Sequence, residues 1–199
     1  MVDVASMLMT LFLLLGTACF MIVMALVFSS FSFSKFVITQ KGIVAKVVIG
    51  VVLGVLAIYG SYMGTRLPNG TIANVRELAV MIAGVTGGPF AGFLAGIIGG
   101  VHRYTLGGAT ALPCALSTII IGVASGLVST KMLGKTYLLK GLLLGFCCQI
   151  FAMGMILLLV TPFETASSIV MQITLPMVTA NTIGLVLWLY LFNRFNVLH

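Results

Sequence analysis

The stretch from Asn69 to Leu127 constrains this chain more than any other. It is apolar enough for a membrane, yet it carries eleven glycines after Val75, the arginines Arg76 and Arg103, and a Pro113-Cys114 pair at the opening of a helix. Ionisable groups at membrane depth are costly and mark functional sites by default. Irregular backbone at that depth is tolerated only where protein buries it or where it lines a cavity. A broken, glycine-rich, arginine-bearing membrane segment therefore points to a polar ligand site inside a helical bundle.

Composition sets the class. Of the 199 residues, 61% are hydrophobic and 7% charged, and mean hydropathy is +1.27. Soluble domains carry about 25% charged residues. The expectation is one all-α integral membrane domain over 1–199, a bundle of five to six spans in membrane lipid with a broken, re-entrant third segment. The net charge of +7 sets ten Lys and Arg against Asp3, Glu77 and Glu164. Most of the basic residues lie in short loops, which suits membrane orientation, and no basic face exists for nucleic acid. Of the cysteines, Cys19, Cys147 and Cys148 read as small core residues and Cys114 is kept as a site candidate. None has metal-ligand spacing, and neither metal nor cofactor is expected.

Six apolar segments follow from hydropathy: Ala5 to Phe28, Ile43 to Met63, Glu77 to Val101, Ala109 to Val128, Leu138 to Val160 and Ser168 to Phe192. Each has the roughly 20 residues that a span requires. The first has no basic flank before it, so a cleaved signal peptide is not expected. Gly87-Gly88-Pro89 interrupts the third, and Pro176 lies inside the sixth. Lysines 35, 41 and 46 follow segment one, and lysines 131, 135 and 140 follow segment four. Three full spans between these loops would put them on opposite sides, against the positive-inside rule. If segment three enters and returns on one side, both lysine loops and Arg194 are cytoplasmic, while the N-terminus and Glu164 are outside. The alternative is one continuous helix kinked at Pro89.

Re-entry has a chemical consequence. A straight helix would hold Arg76 and Arg103 about 40 Å apart. A hairpin brings both to one outer surface, where guanidinium groups form a fork for a carboxylate or phosphate. A helix starting near Ala111 would aim free N–H groups at the same anion, and Cys114 and Ser117 share one of its faces. Simpler readings exist. Either arginine can be an interfacial residue, Asn181 a buried interhelical hydrogen bond, and the Gly88, Gly92, Gly96, Gly100 ladder a close helix contact. Asn69-Gly70-Thr71 reads as a turn. No catalytic set is present: there is no Ser-His-Asp arrangement, no paired carboxylates and no nucleotide-binding loop. A transporter shares the broken-helix device and is the rival reading.

Taken together, Asn74-Val-Arg76-Glu, Gly87-Gly88-Pro89, the ladder to Gly99-Gly100, His102-Arg103-Tyr104, Gly107-Gly108, Thr110-Ala111, Cys114 and Ser117 resemble the LytS/YhcK-type 5TM receptor domain. Pro162-Phe163-Glu164 and Pro176 through Asn181-Thr182 are similar to its later segments. The resemblance covers roughly 43–191, leaving 1–42 as an additional N-terminal span and loop. It implies the membrane input of a sensor histidine kinase or diguanylate cyclase, sensing a small carboxylate such as pyruvate. It places the ligand on Arg76, Arg103, Cys114 and Ser117, with Asn74, Thr110 and Asn181 as further candidates. It also implies a homodimer coupled to a cytoplasmic kinase or response-regulator system. No kinase or cyclase region follows Arg194 in this sequence, so no enzymatic activity is expected of this stretch itself.

Overall fold

A computed structural model of the chain describes residues 4–30, 42–67, 70–129 and 136–197. Lys35, Lys41, Lys131, Lys135 and Asn69 lie outside the described residues. The helices are α1 (Val4–Ser30), α2 (Ile43–Tyr62), α3 (Arg76–Thr105), α4 (Ala111–Val128), α5 (Tyr137–Leu159) and α6 (Phe163–Val197). All six are long and apolar enough to cross a membrane. Helix α6 starts at Phe163 rather than at the expected Ser168, with Glu164 in its first turn, where an acidic group suits the positive helix end. Pro176 lies within α6 and does not end it.

One element was not anticipated. Thr65–Arg66 (β1) and Ile72–Ala73 (β2) form a short antiparallel hairpin, with Thr65 opposite Ala73. Gly70 makes its turn at φ 75°, in line with the turn expected at Asn69-Gly70-Thr71.

Helix α3 is two half-helices. Gly88 breaks it with φ 80° and ψ −173°, a backbone setting open to glycine and costly for any other residue. Pro89 then opens the second half, where its missing N–H costs nothing. The halves fold back on each other. A Cβ placed on Gly99 would stand 3.4 Å from Cδ of Arg76, and one on Gly92 would stand 2.9 Å from Cα of Gly84. In a straight helix the first pair would be separated by about 35 Å. The segment is a hairpin, as the loop charges require, and not a kinked span.

Glycines set the packing around it. Gly50 lies against Ala91 and Leu94, and Gly54 against Ile98, so α2 runs parallel to the second half of α3. Gly92 meets Gly122, Gly96 meets Thr118 and Ile119, and Gly100 meets Ala115, so α4 runs antiparallel to that half. Gly141 against Leu189 and Gly145 against Thr182 make α5 and α6 antiparallel. Met21 against Gly60 and Ala18 against Gly184 seat α1. The start of α2 and the end of α4 therefore lie at one end of the bundle, with Lys46. Lys140 and Arg194 share one end of the α5–α6 pair.

The outer surface is apolar. Phe12, Val44, Leu143, Leu158 and Met171 are exposed, while Asn74, Thr118, Gln149 and Asn181 are fully buried. That inversion is what a lipid environment favours, since close small-residue contacts and interior hydrogen bonds replace the hydrophobic drive between helices. Cys148 and Cys114 are buried, but Cys19 and Cys147 are exposed. The expectation that the latter two are core residues is corrected. In each case the neighbouring positions on the helix, not the cysteine, supply the inward face.

Two outcomes are expected. A methyl group at Gly92 would run into the backbone of Gly122, and at Gly96 into Cα of Ile119 at 2.9 Å, whereas Gly154 has open space. Gly92→Ala and Gly96→Leu should lose thermal stability in detergent. Gly154→Ala should match or exceed the parent, since alanine gains up to about 1 kcal/mol over glycine in a helix. In intact cells, single cysteines at Lys41 and Lys135 should resist an impermeant thiol reagent while those at Arg66 and Glu164 react. Labelling of Lys41 and Lys135 from opposite sides would contradict the hairpin.

Candidate functional site

The site grows from the first turn of α3. Val75 precedes it and is fully buried, as are Asn74, Arg76 and Glu77, so this helix begins inside the protein. Its first N–H groups need partners, since a helix start leaves them orphaned. Asn74 Oδ1 accepts from the N–H of Arg76 at 3.2 Å. Asn181 Oδ1, from α6, accepts from the N–H of Leu78 at 3.0 Å.

The Arg76 side chain reaches α4. Its Nε donates to Thr118 Oγ1 at 2.8 Å, and its Nη2 donates to the Cys114 carbonyl at 3.4 Å. The same Nη2 pairs with Glu77 Oε1 at 3.1 Å. Glu77 Oε2 in turn accepts from Gln149 Nε2 of α5 at 3.0 Å. A buried charge is tolerated only when paired and hydrogen-bonded, and this pair has partners from two further helices.

Arg103 sits at the end of the second half-helix. It donates from Nη1 to the Gly107 carbonyl at 2.7 Å and from Nη2 to Thr110 Oγ1 at 2.8 Å. It lies beside the Cys114 thiol, within electrostatic reach of Arg76 and Glu77. Gly107 and Gly108 make this possible: with φ of 70° and 86°, they turn the chain tightly enough for its carbonyl to face back to Arg103. Thr110, Cys114 and Thr118 follow at intervals of four along α4, so they line one face. Arg103 covers the first turn of that face and Arg76 the next.

Both arginines are fully buried. The expectation of a fork at the outer surface, and the interfacial alternative, are both corrected: the hairpin carries the guanidinium groups into the interior against α4 and the Gly107–Thr110 turn before it. Some donors remain unspent. Nη1 of Arg76 and Nε of Arg103 are buried with no hydrogen-bond partner among the described residues. The expected N–H cluster of α4 is smaller than supposed. Pro113 has no N–H, Ala111 N–H donates to the Gly108 carbonyl, and Cys114 N–H to the Thr110 carbonyl.

The candidates divide by geometry. Arg76, Arg103, Thr110, Cys114 and Ser117 come together, Ser117 Oγ donating to the Cys114 carbonyl at 3.1 Å. Asn74 and Asn181 lie below this group and are engaged with backbone: Asn181 Nδ2 donates to the carbonyls of Asn74 at 3.3 Å and Met177 at 2.9 Å. Sequence reasoning missed Glu77, Thr118 and Gln149. A signal for two of them existed. Thr118 falls four residues after Cys114, on the face already singled out, and Gln149 is a lone amide in the middle of an apolar span.

Comparison with known proteins gives these residues a family. The 5TM-5TMR_LYT family, described as the 5TMR of 5TMR-LYT, matches residues 30–194. Sensor histidine kinase BtsS of Escherichia coli (strain K12) is 35% identical over 145 residues, 70% of this chain and 26% of that protein. Sensor protein LytS of Bacillus subtilis (strain 168) is 33% identical over 164 residues, 73% of this chain and 28% of that protein. Sensor histidine kinase YpdA of Escherichia coli (strain K12) is 31% identical over 129 residues, 64% of this chain and 23% of that protein. The chain thus spans about a quarter of the length of these curated relatives. No solved structure matches it. With its candidate spans, this places the chain as a multi-pass protein of the bacterial cytoplasmic (inner) membrane. The chain belongs to the 5TM-5TMR_LYT family and corresponds to the membrane sensor domain of LytS- and BtsS-type histidine kinases.

Proposed function

We propose that this domain binds a small 2-oxo monocarboxylate, pyruvate foremost, from the outer side, and passes the bound state to a cytoplasmic histidine kinase or response-regulator system. The observation that carries the reading is the pair of buried guanidinium groups, each with an unspent donor, flanking Cys114. Unpaired buried donors on charged groups are expensive, and an anion between them removes the expense. Thr110, whose Oγ1 accepts from Arg103, has its own O–H to give to a keto oxygen, and Ser117 can do so by turning its O–H from the Cys114 carbonyl. The kinase coupling rests on the relatives, which are sensor kinases.

Magnitudes limit how such a ligand is held. Micromolar binding is worth about 8 kcal/mol, close to the ceiling of roughly 1.5 kcal/mol per non-hydrogen atom for a ligand this small. Charge-assisted bonds must supply most of it. The rival reading is a small-anion transporter, because half-helices meeting at a ligand are a transporter device. Proteoliposomes containing this chain alone separate the two: a receptor binds labelled pyruvate without accumulating it.

Calorimetric titration with pyruvate is the direct test. Arg103→Ala should weaken binding about thirty-fold or more, the cost of breaking a buried charge pair, and Arg103→Lys should not restore it, since the planar fork is lost. Cys114→Ala and Ser117→Ala should each cost about 1 kcal/mol. Arg76→Ala would leave Glu77 buried and unpaired, at about 3–5 kcal/mol of stability. Arg76→Lys is therefore the informative change there, and it should bind at least tenfold more weakly. Unchanged pyruvate affinity in Arg103→Ala would move the site elsewhere.

A further inference from the structure

Three charged side chains are buried among the described residues: Arg76, Arg103 and Glu77. These three leave one positive charge uncompensated. Glu77 is not a distant counterion. It grips Nη2 of Arg76 at 3.1 Å, on the same guanidinium whose Nη1 stands unpaired, and it interacts electrostatically with Arg103 as well. It cannot turn away to solvent, being fully buried and held from the far side by Gln149 at 3.0 Å. A ligand seated on the free donors therefore meets a fixed negative charge one guanidinium away.

We infer that Glu77 is a specificity-determining residue: it sets the charge that the site accepts at one negative unit, admitting monoanions and rejecting dianions of the same size. The inference rests on the anion site proposed above. The physical reason is the low effective dielectric of the interior, where a unit charge a side chain's length away changes the affinity for a second ligand charge by about tenfold or more. One ligand charge neutralises the buried set, and a second would leave it negative with no cation to answer it. Without Glu77 the set carries two positive charges, and the preference reverses.

The substitution Glu77→Gln removes the charge and keeps the shape. Its added amide can be met, because Oε1 of Gln149 is buried and without a partner among the described residues and becomes available when that amide flips. The probes are pyruvate and oxalate, which have the same number of non-hydrogen atoms and differ by one charge. Calorimetry on the parent should show pyruvate bound about tenfold or more tighter than oxalate. In Glu77→Gln the ratio should move toward oxalate by about tenfold or more, while Glu77→Asp, which keeps the charge, should hold the parental ratio. A residue that only braces the fold would weaken both ligands together. Pyruvate bound by Glu77→Gln with the parental ratio overturns the inference and leaves the site standing. Should Glu77→Gln fail to fold, the parent still decides, since oxalate binding as tightly as pyruvate refutes charge selection. A parent that binds neither ligand removes the anion site itself.

Discussion

The structure depends on a helix that starts where helices rarely start, in the interior of a membrane bundle. The first turn of α3 is fully buried, and unsatisfied backbone groups away from water cost several kcal/mol each. Asn74 and Asn181 meet that cost at the N–H groups of Arg76 and Leu78, and three consecutive residues of this turn tie it to three different helices. Arg76 reaches α4 through Thr118 and the Cys114 carbonyl. Glu77 reaches α5 through Gln149. Leu78 reaches α6 through Asn181. The positions of α4, α5 and α6 are thereby referred to one point, and the candidate ligand site lies against that point.

The glycines make the arrangement affordable in space. Within the ladder, only Gly88 demands a glycine for its backbone angles; the others are needed for proximity. Gly92 touches the backbone of Gly122, and Gly99 leaves room for the Arg76 stem. A side chain at Gly92 would push α4 away from the hairpin, and one at Gly99 would run into Ala57 of α2 at 2.9 Å beside the Arg76 stem. The chemistry of the arginines and the sparseness of the helices around them are thus one design.

Much of this was legible in the residues. Lysine placement favours a third segment that doubles back over one kinked at Pro89, and doubling back brings Arg76 and Arg103 together. The depth of the arginines was not legible. An arginine at the end of an apolar run looks the same whether it faces headgroups or a bundle interior, and the partners that decide between them, Thr118 and the Cys114 carbonyl for Arg76, Gly107 and Thr110 for Arg103, lie on α4 and the turn before it. The role of Glu77 was hidden for a related reason. Next to Arg76 in sequence, it reads as a local pair, and its partner Gln149 lies 72 positions away. Cys19 and Cys147 misled because hydropathy reports that a segment is apolar, not which of its faces meets lipid.

Helix α6 continues without interruption from Phe163 to Val197, a rod of about 50 Å. Asn181 lies near its middle and is tied by three hydrogen bonds to its own helix and to the start of α3. Pro176, one turn above, lacks the N–H that would lock the rod to its upper part. The lower part, from Asn181 to Arg194, is a pushrod: ordinary helical hydrogen bonds make it stiff along its axis. It links the Asn74–Leu78 contact to the face of the bundle where Arg194 stands, about 20 Å away.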